Sequence, residues 1–405
     1  MKINRYCYIW APMNSDPKVN FDNLENAFAS KSDAEINQAY LLFKAIGIPT
    51  LVKYGGKLAE LALQYHLPVK SLIRSTIFQQ FCGGEDIQDC SKTIEKLGKY
   101  GVGSILDYSV EGKEEEKEFD HSCNEIVATI ERAKGDSNIP FSVFKITGLA
   151  RFALLEKHSS NVTLTPEEQI EFQRVEDRVN KICALAFNLK VKVFIDAEES
   201  WIQKAIDDLA MLMMHRYNKE KVYIYNTIQF YRHDRLSFLK QSFDIAMNDN
   251  FYLGIKLVRG AYMEKERERA KVKRYPSPIQ NDKNASDRDY NEALKFCIEH
   301  IDRMAICAGT HNEESSLLLT QMMEEKGIAM NDERIYFSQL LGMSDHISFN
   351  LAKSGYRVAK YLPYGPIAAV LPYLNRRAQE NTSISGQMGR ELSLLVAEKK
   401  RRRKI

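Results

Sequence analysis

Between Gly103 and Tyr361 the chain alternates eight short, apolar, β-rich runs with longer stretches of helical periodicity. The runs are Gly103–Ser109, Phe141–Ile146, Val191–Asp196, Val222–Gln229, Leu253–Val258, Met304–Gly309, Arg334–Ser338 and Tyr356–Tyr361. Strand and helix in strict alternation imply parallel strands joined by crossover helices. Eight repeats of the unit point to an α/β fold closed as a (β/α)8 TIM-like barrel. An open doubly wound sheet is the alternative that periodicity alone does not separate. The 405 residues suit a barrel of roughly 250 residues with extensions. We read residues 1–100 as an N-terminal helical arm, with apolar residues at three- and four-residue steps. Residues 101–390 form the barrel and residues 391–405 a helix end with a basic tail.

Composition excludes several classes. Lys plus Arg number 57 against 54 Asp plus Glu, too small an excess for a nucleic-acid-binding domain. The seven cysteines are scattered without a C-x-x-C pair, and the eight histidines show no H-E-x-x-H or H-x-H spacing. Reduced thiols and no metal site are the expectation. No apolar run approaches the ~18 residues of a membrane span, and the first residues lack a signal core. The expectation is a cytoplasmic protein, with peripheral contact at an inner membrane through Lys399–Lys404, six consecutive cations. Gly98, Gly101 and Gly103 precede a strand rather than follow one, so they read as a helix cap and turn and not as a dinucleotide fingerprint. Two segments read as loops, the charged Glu111–Lys117 and the Pro- and Asn-rich Arg274–Asp289.

In a barrel of this kind chemistry sits at the C-terminal strand ends, and here those ends are polar. Asp107 and Glu111 follow the first run, Lys145 ends the second, Asp196 the third and Gln229 the fourth. Lys256 and Arg259 lie near the end of the fifth; Thr310, His311 and Asn312 follow the sixth; Tyr361 ends the eighth. Lys145 and Lys256 lie within apolar runs, where an unpaired ammonium is costly to bury. Past the last strand, Tyr373, Arg376, Arg377 and Glu380 share a helical arc of roughly 100°. Adjacent guanidinium groups suit a carboxylate or phosphate, whose oxygens their forked donors bind in pairs. A solvated basic face with an Arg376–Glu380 pair is the competing reading of that helix.

Together Gly254-Ile-Lys-Leu-Val-Arg-Gly-Ala-Tyr262, Phe194-Ile-Asp-Ala-Glu-Glu199, Thr310-His-Asn312 and Tyr373-Leu-Asn-Arg-Arg-Ala-Gln-Glu-Asn381 resemble the proline dehydrogenase family. Phe21–Lys44 and Gly103–Gly112 look like its single-function, eukaryote-type branch. The resemblance implies a distorted barrel with FAD at its mouth. It implies oxidation of L-proline to 1-pyrroline-5-carboxylate and a membrane quinone as electron acceptor. By that likeness Arg376, Arg377 and Lys145 hold the substrate carboxylate and Asp196 supports them. Leu340, Tyr361 and Tyr373 enclose the ring, and Glu111 pairs with the first arginine in the unliganded state. Gln229 and Lys256 match contacts to the flavin ring. Arg259, Gly260, Ala261, Thr310, His311, Asn312 and Glu380 match the region that takes the rest of the cofactor. The bifunctional proline utilization enzymes carry Arg at the position of Lys256, Lys at that of Arg259 and an aromatic at that of Met263, so flavin hydrogen bonding and adenine packing differ here.

Three alternatives compete with that reading. The substrate is 4-hydroxyproline, against which the bulk of Tyr361 argues. The chain is another flavin barrel, which would not need the paired arginines. Or it is a binding module for membrane or nucleic acid, which leaves the buried lysines unexplained.

Overall fold

The computed structural model describes residues 19–65, 67–109, 114–383 and 387–403, without the side chains of 380–383 and 387–388. Its strands are β1 (Val102–Tyr108), β2 (Phe141–Phe144), β3 (Lys192–Ile195), β4 (Ile224–Gln229), β5 (Leu253–Val258), β6 (Met304–Gly309), β7 (Ile335–Leu340) and β8 (Val358–Tyr364). Each pairs in parallel with the next, and β8 returns to β1 with Val102 opposite Val358 through Tyr108 opposite Tyr364. The sheet is therefore closed, and the open alternative falls. That same register carries β8 on to Tyr364, past the expected end at Tyr361.

Both segments expected as loops are partly helical. Glu116 and Lys117 begin the helix Glu116–Ala133, where acids in the first turn favour the exposed amides and Arg174 and Arg178 hold Glu116. Asp282 caps the helix Lys283–Glu299, its side chain accepting from the Ala285 amide at 2.8 Å. The expected loop to Asp289 thus stops at Asp282, because a short carboxylate in that position satisfies an amide the helix leaves open.

Alternate strand residues fill the barrel with Phe141, Phe194, Tyr225, Cys307, Tyr336 and Tyr361. Phe141 stacks on Phe194 with centroids 4.3 Å apart. The lower end is closed by Lys192, whose ammonium lies 4.9 Å from the Tyr336 centroid and 5.5 Å from that of Phe141, attracted by the ring faces. Burial holds this amine down at about 8.

The arm builds a second core. The helix Asp33–Ile46 opens on a reciprocal cap: Ser32 Oγ accepts from the Glu35 amide and Glu35 Oε2 from the Ser32 amide. Its buried Ile36 and Phe43 pack with Phe81, with Val370 and Leu374 of the closing helix Ile367–Ser383, and with Leu394 and Leu395 of the C-terminal helix Gln387–Arg402. The basic tail is largely this last helix. Arg401 and Arg402 both pair with the buried Glu398, and Arg402 also reaches Asp33 at 2.7 Å and the Phe28 carbonyl at 3.0 Å. Among the described residues no helix is long and apolar enough to cross a membrane, and Cys82, Cys90, Cys123, Cys183, Cys297 and Cys307 are buried and unbridged.

Candidate active site

The C-terminal strand ends gather a compact set of charges inside the mouth. Lys256 faces inward from β5 and is 4% exposed. Its ammonium donates to the Asp196 carboxylate and the Tyr361 hydroxyl and lies 4.5 Å and 5.3 Å from the ring centroids of Tyr361 and Phe194. Tyr361 in turn donates to Asp196 Oδ1 at 3.2 Å. From the end of β2, Lys145 Nζ stands 3.8 Å from Asp196 Oδ2 and 3.7 Å from Asp107 Oδ1. The buried ammonium of Lys256 and the partly buried one of Lys145 are thus balanced by two carboxylates, the condition under which such charges persist away from water. Burial, then the Asp196 charge, keeps the Tyr361 phenol well above its ordinary value, so it serves as a neutral donor.

Leu340 connects this cluster to the closing helix. It pairs in register with Tyr361 and packs against both the barrel interior and the second core containing Tyr373. On the closing helix Tyr373 and Arg377 are buried, the guanidinium carbon 5.2 Å from the ring centroid, and Arg376 is half-buried. The helix begins at Ile367, ahead of Pro372. Glu111 and the Glu380 side chain, and with it the Arg376–Glu380 pair, lie outside the described residues.

A second group lies along the ends of β5 and β6. Arg259 donates to Asp287 Oδ1 at 2.6 Å, Thr310 Oγ1 at 2.8 Å and Ser315 Oγ at 2.9 Å, while its plane covers Tyr290 at 4.3 Å. Asn312 is the cap of the helix Glu313–Glu325, accepting from the Ser315 amide at 2.8 Å. His311 Nδ1 lies 2.9 Å from Ser344 Oγ. Burial, then the charges of Lys360, Arg377, His346 and Arg259, hold its imidazole down at about 3, so it is neutral. Gly260 and Ala261 form the exposed turn after β5. Gly260 has φ 130°, and an added Cβ would stand 2.5 Å from the Tyr231 ring, so only glycine fits.

Gln229 donates its amide to the Glu198 carbonyl at 2.6 Å, which brings in a residue the sequence reading passed over. Glu198 is buried, and its Oε1 accepts from the Thr147 amide at 3.1 Å. Burial, reinforced by Glu199 and opposed by Thr147 and Lys145, raises its carboxyl to about 8. The pair of acids ending Phe194–Glu199 was the available signal, but nothing in the spelling distinguishes a buried acid from a solvated one. Because the folded value is raised, its stabilising contribution is whole below the ordinary value near ~4.3, declines as pH rises and is gone above about 8. Glu198→Gln removes that dependence. Its melting temperature relative to the parent is expected to climb by roughly 5 °C between pH 5 and pH 8.5; a flat difference would mean that Glu198 is ionised in the folded protein.

Lys360, also passed over, is fully buried on β8. Its ammonium donates to the Met343 carbonyl at 2.7 Å and the Leu340 carbonyl at 3.3 Å and pairs with Asp345 Oδ1 at 2.8 Å. It fixes the end of β7, at Leu340, together with the turn that follows. Among the described residues no cluster of His, Cys, Asp and Glu is disposed to hold a metal ion.

Comparison with known proteins bears on this arrangement. The family described as proline dehydrogenase matches residues 90–390. The chain is 36% identical to the carbapenem antibiotics biosynthesis protein CarD of Pectobacterium carotovorum subsp. carotovorum, across 82% of this chain and 85% of that protein. It is 33% identical to the mitochondrial proline dehydrogenase 1 of Dictyostelium discoideum, across 97% and 77%. It is 31% identical to the hydroxyproline dehydrogenase of Xenopus laevis, across 93% and 88%. Among solved structures, proline utilization A (PutA) from Bdellovibrio bacteriovorus, inactivated by N-propargylglycine, superposes with a TM-score of 0.70 at 20% identity. It covers 89% of this chain, which spans 38% of that one, and shows the shared fold. With the family match covering its whole barrel and relatives this similar over most of their length, the chain belongs to the proline dehydrogenase family of enzymes.

Proposed function

We propose that the protein oxidises L-proline to 1-pyrroline-5-carboxylate with FAD held at the barrel mouth and passes the electrons to a quinone. The observation that carries this reading is the Lys145–Asp196–Lys256–Tyr361 cluster inside the mouth, joined through Leu340 to a helix bearing Tyr373, Arg376 and Arg377. It offers cations for a carboxylate beside apolar and aromatic walls for a small ring.

The residues fit a flavin dinucleotide. The field at the β5–β6 ends is positive enough, after burial, to help keep His311 neutral, as suits a pyrophosphate. Gly260 brings exposed backbone beside Arg259, with the Tyr231 ring on the side where a Cβ would stand. Lys256 and Gln229 would hold the flavin ring. Arg259, Gly260, Ala261, Thr310, His311, Asn312 and Glu380 would line the remainder, with Arg259 keeping guanidinium N–H groups beyond those already donated. FAD, when bound, supplies the hydride-accepting redox chemistry.

The chain's own part is positioning. Arg376, Arg377 and Lys145 grip the carboxylate, while Leu340, Tyr361 and Tyr373 fix the ring, which makes hydride loss from C5 an oriented unimolecular step. The same cations lower the pKa of the substrate amine by like-charge repulsion, favouring the neutral form from which hydride leaves. In the unliganded state Glu111 would pair with Arg376. A lipophilic quinone acceptor implies work at a membrane surface, on the cytoplasmic side of the inner membrane.

One relative's name favours a second reading, 4-hydroxyproline as substrate. Against it stands the bulk of Tyr361, whose hydroxyl is already engaged by Lys256 and Asp196. The test is the visible spectrum of the purified protein during anaerobic titration. A flavin spectrum that bleaches with L-proline and not with D-proline is expected. Bleaching only with 4-hydroxyproline would transfer the assignment, and a colourless protein that FAD does not reconstitute would overturn it.

A further inference from the structure

The arm helix Pro49–Gln64 has two apolar faces. At ~100° per residue, Val52, Gly56, Ala59 and Leu63 lie together, and this face is packed: Val52, Ala59 and Leu63 join the second core. A Cβ added at Gly56 would fall 2.6 Å from Asn375 Oδ1 on the closing helix, and Glu60 accepts from Asn375 Nδ2 at 3.1 Å. Almost opposite, Leu51, Tyr54, Leu58, Leu61 and Tyr65 recur in alternating steps of three and four and occupy an arc of roughly 80°. All five are 48–73% exposed. Leu67 and Leu72 continue the exposed surface beyond the helix at 54% and 64%. A contiguous apolar stripe of this length has a partner, because isolated exposed residues do not fall into register.

Charge decides among partners. From Lys44 to Arg74 the segment carries Lys44, Lys53 and Lys57 against the single acid Glu60, its other two cations, Lys70 and Arg74, being paired with Glu85. Glu60 is turned to the closing helix, on the far side from the stripe. A second copy laid stripe to stripe would bring two like-charged segments together. An anionic lipid surface meets the same segment with complementary charge, its headgroups at the lysines and its acyl region at the leucines. Tyr54 and Tyr65, apolar in body and polar at the tip, suit the boundary between the two.

We propose that the face formed by Leu51, Tyr54, Leu58, Leu61 and Tyr65 is the docking surface of this protein on anionic bilayers, laying the Pro49–Gln64 helix in the interface plane. This places the contact on the arm rather than on the cations of the tail, of which Arg401 and Arg402 are spent within the fold. The helix on which the arm rests is the one that bears Arg376 and Arg377, so a docked arm sets that end of the barrel against the lipid. The inference stands on surface and charge and does not depend on the redox reading.

Cosedimentation of the full chain with phosphatidylglycerol-rich vesicles, and with phosphatidylcholine vesicles, tests it. The parent is expected to bind the first in a salt-sensitive manner and the second weakly. Leu51→Glu/Leu58→Glu/Leu61→Glu, all exposed positions, is expected to reduce binding by more than about 100-fold with unchanged melting temperature. Lys53→Glu/Lys57→Glu is expected to reduce it by about 10-fold. Deleting residues 403–405 is expected to leave it intact. Equal binding by parent and triple variant overturns the proposal. So does loss of binding on deleting 403–405 alone, or size-exclusion chromatography in which the parent is a dimer that the triple variant breaks. Bleaching by L-proline, followed separately without lipid, reports on the reaction and leaves the surface untouched.

Discussion

Arg376→Met is expected to raise the KM for L-proline by about 100-fold while FAD stays bound. A guanidinium that grips a carboxylate through charge-assisted hydrogen bonds contributes some 2–5 kcal/mol in a desolvated setting, and each ~1.4 kcal/mol is a factor of ten. Methionine keeps the helix and most of the side-chain volume, so the fold is expected to survive. Steady-state kinetics beside the flavin content of the purified variant decide the matter. A normal KM with lost flavin would give the residue to the cofactor, and no change in either would make it the solvated face that its spacing also allowed. Arg376→Lys is expected to recover only part of the loss, because an ammonium restores charge without the fork.

Lys360→Met is expected to lower the melting temperature by about 5 °C. The lysine is fully buried and paired with Asp345, which is also buried and has Lys31 as its other cation at 3.4 Å. Removing one partner of a buried pair costs roughly 3–5 kcal/mol, because the other charge is stranded, and in a chain of this size each ~1 kcal/mol moves the midpoint by roughly 1 °C. Burial pushes the Asp345 carboxyl up, but Lys360 and Lys31 outweigh it and hold the group down at about 2. The folded value is depressed. The stabilisation is therefore present above the ordinary aspartate value near ~3.9 and is lost as pH falls toward 2. In melting curves between pH 5 and pH 2 the parent is expected to show that acid limb and the variant a much shallower one. A variant within ~1 °C of the parent, with the same acid limb, would show that the pair carries no stability. Since Lys360 also holds the Leu340 and Met343 carbonyls, a raised KM for proline is expected alongside.

The strands were legible because each is a compact β-rich run between helical periods, and the observed bounds differ from the expected ones by at most three residues. Closure was legible only as a count of eight; it is the pairing of Val102–Tyr108 with Val358–Tyr364 that decides it. Lys145 and Lys256 could be read as site residues because a charge in an apolar run is conspicuous. Their meeting at Asp196 could not be read, since it joins strands far apart in sequence. Lys360 sits in the same kind of run and was missed, its neighbour Tyr361 drawing the attention. A run buried on both faces carries no alternation to say which residue looks inward. The arm posed the same problem in helical form: sequence shows that Leu51 through Tyr65 is apolar, but only packing tells which apolar face is covered.

The rings inside the barrel form a column. Lys192 lies over Phe141 and Tyr336, Phe141 stacks on Phe194, Phe194 lies parallel to Tyr361 at 6.4 Å, and Lys256 stands beside that last gap, near both Phe194 and Tyr361. Rigid discs held by ammonium groups at two levels have little freedom to slide past one another. The position of Tyr361 is set in part from underneath, by rings deeper in the barrel. On the proposed site, thinning a ring deep in the barrel is expected to change the size of molecule accepted, with every group proposed to touch the reacting atoms left as it is.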